Sequence, residues 1–553
     1  MTSEQELGQL LKEVLKIDFE LEFQPAEGKF GDFCLPPGQV KKICASCDLS
    51  AEELLSKVKE SFAAVKLEGG YLNFYLPDDY FLAELEKFVA NPAGYFRESE
   101  NAQKTVVFDY SSPNVAKPFG VGHLRSTDIG QANYNLHKLL GYKTVGINFL
   151  GDWGTQFGKL LYAIKTWGDE GKLAQNPISE LAGLYQKFHD EAAKNPALDE
   201  EGREWFKRLE QGEPEARALW QKCVKWSKEE FARVYQILDV EIDKVMSESE
   251  YVERAPEVIS ELKDKNLLVK SEGAQIVELE GMPPAIIYKT NETTTYITRD
   301  LAALKERLGR YQPDKIIYHI GNDQALHFRQ LQKVAQKLGW LKKTSLVFAG
   351  HGLIRLKEGK MSTRAGRVVL LDEVIAEAKK RTLKIIEKKN PDLPDKEKIS
   401  QKIAVSAIKY ADLVSNRKSD VVFSFDKIVN LRGMSGPYLQ YVYARASSLE
   451  RKFSAKYPGS KQAVFLDKEA LKLSKLIVRA QNTLDSAAAA STPNLVCELG
   501  WKIAGQFNHY YERERIISDD REESCRKMFI VTATKLALGI IFDVLGIAKL
   551  EEI

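Results

Sequence analysis

Apolar residues recur along this chain with two alternating periods, and the changes of period mark out its elements. Near the amino end, Leu7, Leu10, Leu11, Val14 and Leu15 repeat three and four apart, the spacing of one helical face. Tyr71 to Tyr75 reads as a strand, and Asn91-Pro92-Ala93-Gly94 breaks the pattern where a linker begins. The texture changes at Lys104. Thr105-Val106-Val107-Phe108-Asp109-Tyr110 is short, β-branched and aromatic, which predicts a buried strand. A turn-rich stretch from Ser111 to Gly122 follows it. Leu124, Ile129, Ala132, Leu136, Leu139 and Leu140 then mark a helix that Gly141 ends. Lys143 to Leu150 is a second strand, so the segment is a βαβ unit and implies a parallel sheet.

Residues 165–255 read as a charged helical insertion. Sheet texture returns at Ala274–Leu279, Ile286–Tyr288, Lys315–Gly321 and Ser345–Gly350, with a helix over Gln324–Gly339. From Ile385 the chain reads as almost wholly helical. Ala404, Ala407, Ile408 and Ala411 form one stripe, and Leu536, Ile540, Val544 and Leu545 form another. Three domains are expected, over 1–103, 104–384 and 385–553.

The length, 553 residues, fits several cores rather than one. Lys plus Arg is 80 and Asp plus Glu is 78, so no global positive field advertises a nucleic-acid partner. Basicity is local instead. Between Leu341 and Arg367 stand seven Lys or Arg and one acid, Glu358. The six cysteines are too sparse for a disulfide scaffold. Cys44-Ala-Ser-Cys47 has the gap of a metal or redox site, but no second pair follows, so structural thiols and no protein-bound metal are expected. An acidic amino end and the lack of an apolar run of roughly 18 residues point to the cytoplasm. The absence of an exposed apolar stripe suggests a monomer.

Two stretches carry candidate chemistry. Pro118-Phe119-Gly120-Val121-Gly122-His123 lies in the loop after the first strand of the sheet domain, where open parallel sheets bind ligands. Gly122 permits close approach of a ligand to the backbone, and the helix start that follows suits phosphate. Taken alone, His123 reads sooner as a helix cap or a surface residue than as a donor to phosphate. The second stretch is Lys360-Met361-Ser362-Thr363-Arg364, flanked by Gly359 and Gly366, a cationic loop suited to polyphosphate. In isolation it is a basic surface loop. Together and in this order the two are far more specific.

These strings resemble the His-x-Gly-His and Lys-Met-Ser-Lys-Ser signatures of the class I aminoacyl-tRNA synthetases. Asp109-Tyr110-Ser111-Ser112-Pro113-Asn114 through Arg125-Ser126-Thr127 is similar to the arginyl family in particular. Gly151-Asp152-Trp153-Gly154-Thr155-Gln156-Phe157-Gly158 and Tyr296-Ile297-Thr298-Arg299-Asp300 agree with it. So do Gly436-Pro437-Tyr438-Leu439-Gln440-Tyr441, Phe507-Asn508-His509-Tyr510-Tyr511 and Phe30-Gly31-Asp32-Phe33. Two positions depart from the pattern: Gly120 replaces the first signature His, and Phe149 replaces a His before Gly151.

The resemblance implies an α/β fold, with a Rossmann-like parallel-sheet catalytic domain between two others. A small α+β amino-terminal domain would contact the tRNA elbow, and an all-α carboxyl-terminal domain would bind the anticodon. It implies ATP as substrate with Mg²⁺, L-arginine, and arginine tRNA, which the family needs even for adenylate formation. The implied ATP site comprises Gly120, Gly122, His123, Lys360, Met361 and Ser362, with His123, Lys360 and Lys117 stabilising phosphate charge. Asp109, Ser112, Asn114, Tyr296, Asp300 and Gln324 would hold arginine. Tyr438, Tyr441, Arg445 and Tyr510 would stack on anticodon-loop bases. Without the resemblance, Asp300 reads as a helix cap and Tyr296 as core. Two other readings compete: a small-molecule nucleotidyltransferase, which has no need of the long helical end, and a tRNA binder without catalysis.

Overall fold

The computed structural model describes residues 3–26, 30–62, 64–288, 295–356, 370–430 and 433–553. Two compact units emerge that do not follow chain order. One joins Met1–Glu98 with Ala446–Asp485 and Lys502–Leu538; the other joins Ser99–Arg445 with Ser486–Trp501 and Gly539–Ile553.

The larger unit is organised by five strands. In chain order they are β1 (Thr105–Asp109), β2 (Lys143–Leu150), β3 (Lys244–Ser247), β4 (Lys315–Tyr318) and β5 (Ser345–Phe348). Every pairing is parallel and the order is β5-β4-β1-β2-β3, so β5 and β3 are opposite edges. Three helices bear on the site: α1 (Val121–Leu139), α2 (Tyr296–Tyr311) and α3 (Ala325–Leu338).

Both sheet faces are covered, which is why β1 lacks a polar alternation. Val107, Ile147, Ile316 and Met246 pack with Leu301 and Leu304 of α2 and Leu331 and Val334 of α3. Val106, Phe108 and Ile317 face the other way, against Tyr134 of α1. Phe108 is fully buried, and Phe108→Ala would cost about 3–5 kcal/mol. Gly141 ends α1 as expected, at φ +96°. Gly130 lets α1 sit tightly on the end of β1, since a Cβ there would lie 2.2 Å from that of Tyr110.

Some expectations need correction. The stretch read as a helical insertion does hold long helices, among them Pro177–Lys194, Leu198–Glu210 and Pro214–Leu238. It also holds β3, a four-residue edge strand too short to show a period. Ala274–Val277 and Ala285–Tyr288 form a separate antiparallel sheet with Val269–Ser271. The carboxyl-terminal stretch contains a strand, Val421–Phe423, paired with Ile354–Leu356. Among the described residues one helix, Arg521–Leu545, is long and apolar enough to cross a membrane, but 72% of its apolar window is buried in the protein, as in a core helix.

In the smaller unit a four-stranded antiparallel sheet, Gln24–Pro25, Phe33–Leu35, Tyr71–Phe74 and Val65–Glu68 in spatial order, packs with helices. Asp32 is buried there between Lys475, at 2.8 Å, and Arg479, and it accepts from the Leu76 N–H at 2.8 Å. Gly31 has φ +97°, and a Cβ there would meet the Phe74 carbonyl at 2.6 Å. The Phe30–Phe33 string therefore has a structural task, joining this sheet to the helix Lys468–Val478 that carries Lys475.

Candidate active site

The carboxyl ends of β1, β2, β4 and β5 open into a cleft of about 450 Å³. Its wall begins with the segment after β1. Ser111, Ser112 and Ala116 all have positive φ, at 70°, 47° and 63°. Non-glycine residues there cost of order 1–3 kcal/mol each, and the surroundings must hold them. Here Ser111 N–H donates to Ser126 at 3.0 Å, Ser112 N–H to Asn148 at 3.1 Å and Ala116 N–H to Ser227 at 2.8 Å.

Seven residues expected at the site line this cleft: Asp109, Ser112, Asn114, Gly122, His123, Asp300 and Gln324. His123 lies in the first turn of α1. Its Nδ1 accepts the Gly120 N–H at 3.2 Å, so the proton of a neutral ring sits on Nε2, ready to be donated. Burial, with the charge of Lys117, lowers its pKa to about 4, which keeps the ring neutral. A Cβ on Gly122 would meet no protein atom within 4 Å; the space beside its backbone belongs to the cleft.

Asp109 points inward to its own partners. Its Oδ2 pairs with Arg307 at 2.7 Å and its Oδ1 accepts from Ser112 at 2.9 Å. Burial pushes this carboxyl up, against the pull of Arg307. Arg307 lies 5.1 Å from the Phe149 ring centre, so Phe149 forms an apolar floor beneath the guanidinium. Asp109 thus shapes the wall through Ser112 and Arg307.

Asp300, on α2, contacts His327 of α3 at 2.5 Å. Burial alone would lower the His327 pKa, but Asp300 raises it. Glu248, just past β3, lines the same wall. Its Oε2 is buried without a hydrogen-bond partner, with Arg299 at 3.7 Å. Burial first, then Asp300, pushes Glu248 up to about 8. Neighbouring acids with a bare oxygen suit a planar cation with several donors.

Several expected residues lie elsewhere. Lys117 is exposed and off the wall, although its charge reaches His123. Gly120 is buried as the N-cap of α1, behind the wall. Tyr296 opens α2 at 52% exposure, its ring 4.8 Å from the Arg299 guanidinium, and it does not line the cleft. Lys360, Met361 and Ser362 lie outside the described residues. Their described flanks stand near the site: Ile354–Leu356 pairs with Val421–Phe423, and Leu370 bridges to Gly120.

Sequence reasoning missed Glu248, Arg307, His319, His327 and His351, all on the cleft wall. The one available signal was histidine scarcity. The chain has seven histidines and four of them line this cleft, His123, His319, His327 and His351.

A second cavity of the larger unit, about 360 Å³, is walled by Tyr441, Pro437, Lys389 and apolar side chains up to Ile553. Arg445 donates to the Tyr441 hydroxyl at 3.1 Å and lies 4.9 Å from its ring centre. Tyr438 is half-buried on the same helix, Gly436–Lys456. Tyr510 is a correction: it is fully buried in the smaller unit, 3.3 Å from Asp467, and offers no face to a base.

Comparison with known proteins agrees with this geometry. Residues 84–425 match the family model of the catalytic domain of class I tRNA synthetases (R), and residues 439–553 match the DALR anticodon binding domain. The arginine–tRNA ligase of Clostridium botulinum is 38% identical over 565 residues, covering 100% of both chains. That of Halothermothrix orenii is 38% identical, covering 99% of this chain and 98% of its own. Among solved structures, the arginyl-tRNA synthetase of Plasmodium falciparum superposes with a TM-score of 0.84 at 24% identity, covering 100% of this chain and 99% of its own. The Thermus thermophilus enzyme gives 0.83 at 22% identity, covering 100% of both.

Proposed function

The chain belongs to the arginine–tRNA ligases of class I, and on that premise we propose that the cleft at the strand ends is where it performs its first reaction. The enzyme activates arginine with ATP to arginyl-adenylate, releasing pyrophosphate. It then transfers the arginyl group to the terminal adenosine of arginine tRNA, releasing AMP. The observation that carries the placement is the junction, in one cleft, of a neutral imidazole with a free N–H and a pair of neighbouring acids.

Neither step needs a protein nucleophile, so catalysis consists of positioning and of stabilising phosphate charge. His123 donates from Nε2 to the phosphate oxygens as charge builds on them. Lys360 meets the leaving pyrophosphate, and Lys117 adds positive charge from outside the wall. Met361, Ser362 and the Gly122 backbone flank the nucleotide, and Gly120 supports them from behind as the N-cap of α1. Glu248 and Asp300 receive the guanidinium, with Gln324 at its edge; Tyr296 stays outside the cleft, against Arg299. Ser112 and Asn114 hold the amino-acid end, in a loop that Asp109 keeps in shape. ATP would bring Mg²⁺ with it, its phosphates offering the hard oxygen ligands that ion prefers.

Tyr441, Tyr438 and Arg445 offer aromatic and cationic surface to unpaired anticodon bases, and the amino-terminal domain meets the tRNA elbow. The enzyme works as a monomer in the cytoplasm. The test is arginine-dependent ATP–pyrophosphate exchange with and without arginine tRNA. Exchange that appears with the tRNA is expected. No exchange in either case, with tRNA still bound, favours the non-catalytic binder, a reading that the loss of imidazoles at Gly120 and Phe149 motivates.

A further inference from the structure

His351 closes the turn after β5, and every polar atom of the residue but one is satisfied. Its N–H donates to the Ile320 carbonyl at 3.1 Å, and its carbonyl accepts from the Asn322 N–H at 2.9 Å. The flanking backbone is fixed as well. Arg417 donates to the Gly350 carbonyl at 2.5 Å, Gly352 N–H donates to the Arg417 carbonyl at 2.9 Å, and Leu353 N–H donates to Asp420 at 2.8 Å. The ring Nδ1 lies 3.0 Å from the Gly352 carbonyl. A carbonyl only accepts, so Nδ1 carries the proton and Nε2 keeps a lone pair. That Nε2 is buried and has no partner in the protein, although the residue, 5% exposed, belongs to the cleft wall. Orphaned buried polar atoms are rare enough in native proteins to need a reason.

The chemistry of the substrates narrows that reason. An acceptor needs a donor. Phosphate oxygens accept and cannot serve. The guanidinium donates, but Glu248, the acid suited to it, follows β3, at the opposite edge of the sheet from β5. The turn that carries His351 runs on into Ile354–Leu356, the described flank of the basic segment expected to meet the phosphates. The α-ammonium of arginine donates too, but Ser112 and Asn114, after β1, are the residues assigned to the amino-acid end, so the donors left for the β5 side are those of the adenosine. Nearby His319 also has an unpartnered ring nitrogen, Nδ1, but it is less able to reach a ligand. It is fully buried, stacked on Phe108, with its Nε2 3.0 Å from the Asn133 amide.

Building on the placement of adenylate formation in this cleft, we propose that His351 recognises the nucleoside of ATP, its Nε2 accepting a hydrogen bond from a ribose hydroxyl or from the adenine amino group. The residue acts by binding and orienting ATP, and it moves no proton.

The test compares the full-length wild type with His351→Phe and His351→Gln in arginine-dependent exchange with tRNA present. The nucleotides are ATP, 2′-deoxy-ATP, 3′-deoxy-ATP and the purine riboside triphosphate that lacks the amino group. His351→Phe is expected to raise KM for ATP roughly 10-fold, the scale of one buried hydrogen bond, and to leave KM for arginine within about twofold. One analogue should be penalised in the wild type and no longer penalised in His351→Phe, which identifies the donor. His351→Gln, whose amide oxygen accepts, should restore most of the affinity and the discrimination. If His351→Phe shifts all four nucleotides equally, or lowers only the melting temperature, the ring is a structural partner of His319 and the proposal fails. Absence of exchange by the wild type itself would overturn the placement of the reaction instead, so the two failures are distinguishable.

Discussion

The β3 side and the β5 side of the cleft meet their ligands with opposite devices. On the β3 side, Glu248 and Asp300 are acids in mutual repulsion, with Glu248 pushed up to about 8 and Asp300 in contact with His327. Burial and the Asp300 charge keep the Glu248 proton on until a cation arrives. On the β5 side and at the start of α1, the active groups are neutral imidazoles whose tautomers are set by backbone partners. Gly120 N–H makes His123 an Nε2 donor, and the Gly352 carbonyl makes His351 an Nε2 acceptor. One side selects by net charge and the other by the direction of hydrogen bonds. A permanently cationic side chain and a polyanion with a neutral nucleoside call for this division.

The strongest way to break the comparison is a crossed pair of variants. His123→Ala should lower kcat for activation by about 100- to 1000-fold, the usual cost of one donor to developing charge, and leave KM for arginine nearly unchanged. Asp300→Asn should instead raise KM for arginine by roughly 100-fold, since removing one partner of a desolvated charge pair costs about 2–5 kcal/mol. Steady-state exchange over both substrates measures each. If His123→Ala acts mainly on arginine KM, the two sides are not separate in function.

A smaller effect sharpens the acidic side. Below its pKa of about 8, Glu248 is largely protonated in the empty cleft, because burial and Asp300 disfavour its charge. The guanidinium stays charged at any working pH and prefers the carboxylate. Arginine binding should therefore release a proton and strengthen as pH rises, with KM falling about 10-fold between pH 6.5 and 8. Glu248→Gln should flatten this dependence. An arginine affinity independent of pH in the wild type would mean that Glu248 does not face the ligand.

The parallel sheet was legible because β1, β2, β4 and β5 are apolar runs bounded by turns, and α1 keeps its helical spacing up to Gly141. The edge strand β3 was not, since Lys244-Val245-Met246-Ser247 carries too few residues to show any period. The site divides in the same way. His123, Asp300 and Ser112 stand in strings whose order along the chain is informative. Glu248, Arg307 and His319 take their roles from neighbours far away in sequence, such as Asp109 for Arg307. No local spacing encodes an orphaned ring nitrogen. The plain reading of His123 as a helix cap and the functional one prove compatible, because the cap uses Nδ1 and frees Nε2–H.

The smallest effect tests whether Gly122 is kept for the ligand or for the fold. Gly122 stands in the first turn of α1, and a Cβ there would meet no protein atom within 4 Å. On structural grounds alone Gly122→Ala should help. Alanine is favoured over glycine in a helix by up to about 1 kcal/mol, so the melting temperature should hold or rise by roughly 1–2 °C. If the open space belongs to ATP, the added methyl stands where the nucleotide approaches the backbone, and KM for ATP should rise about three- to fivefold with KM for arginine unchanged. A gain in stability together with weaker ATP binding separates the two demands on one residue. A gain in stability with ATP kinetics unaltered would show that the nucleotide does not come close to the start of α1, and the β5 side would then have to hold it from the strand ends alone.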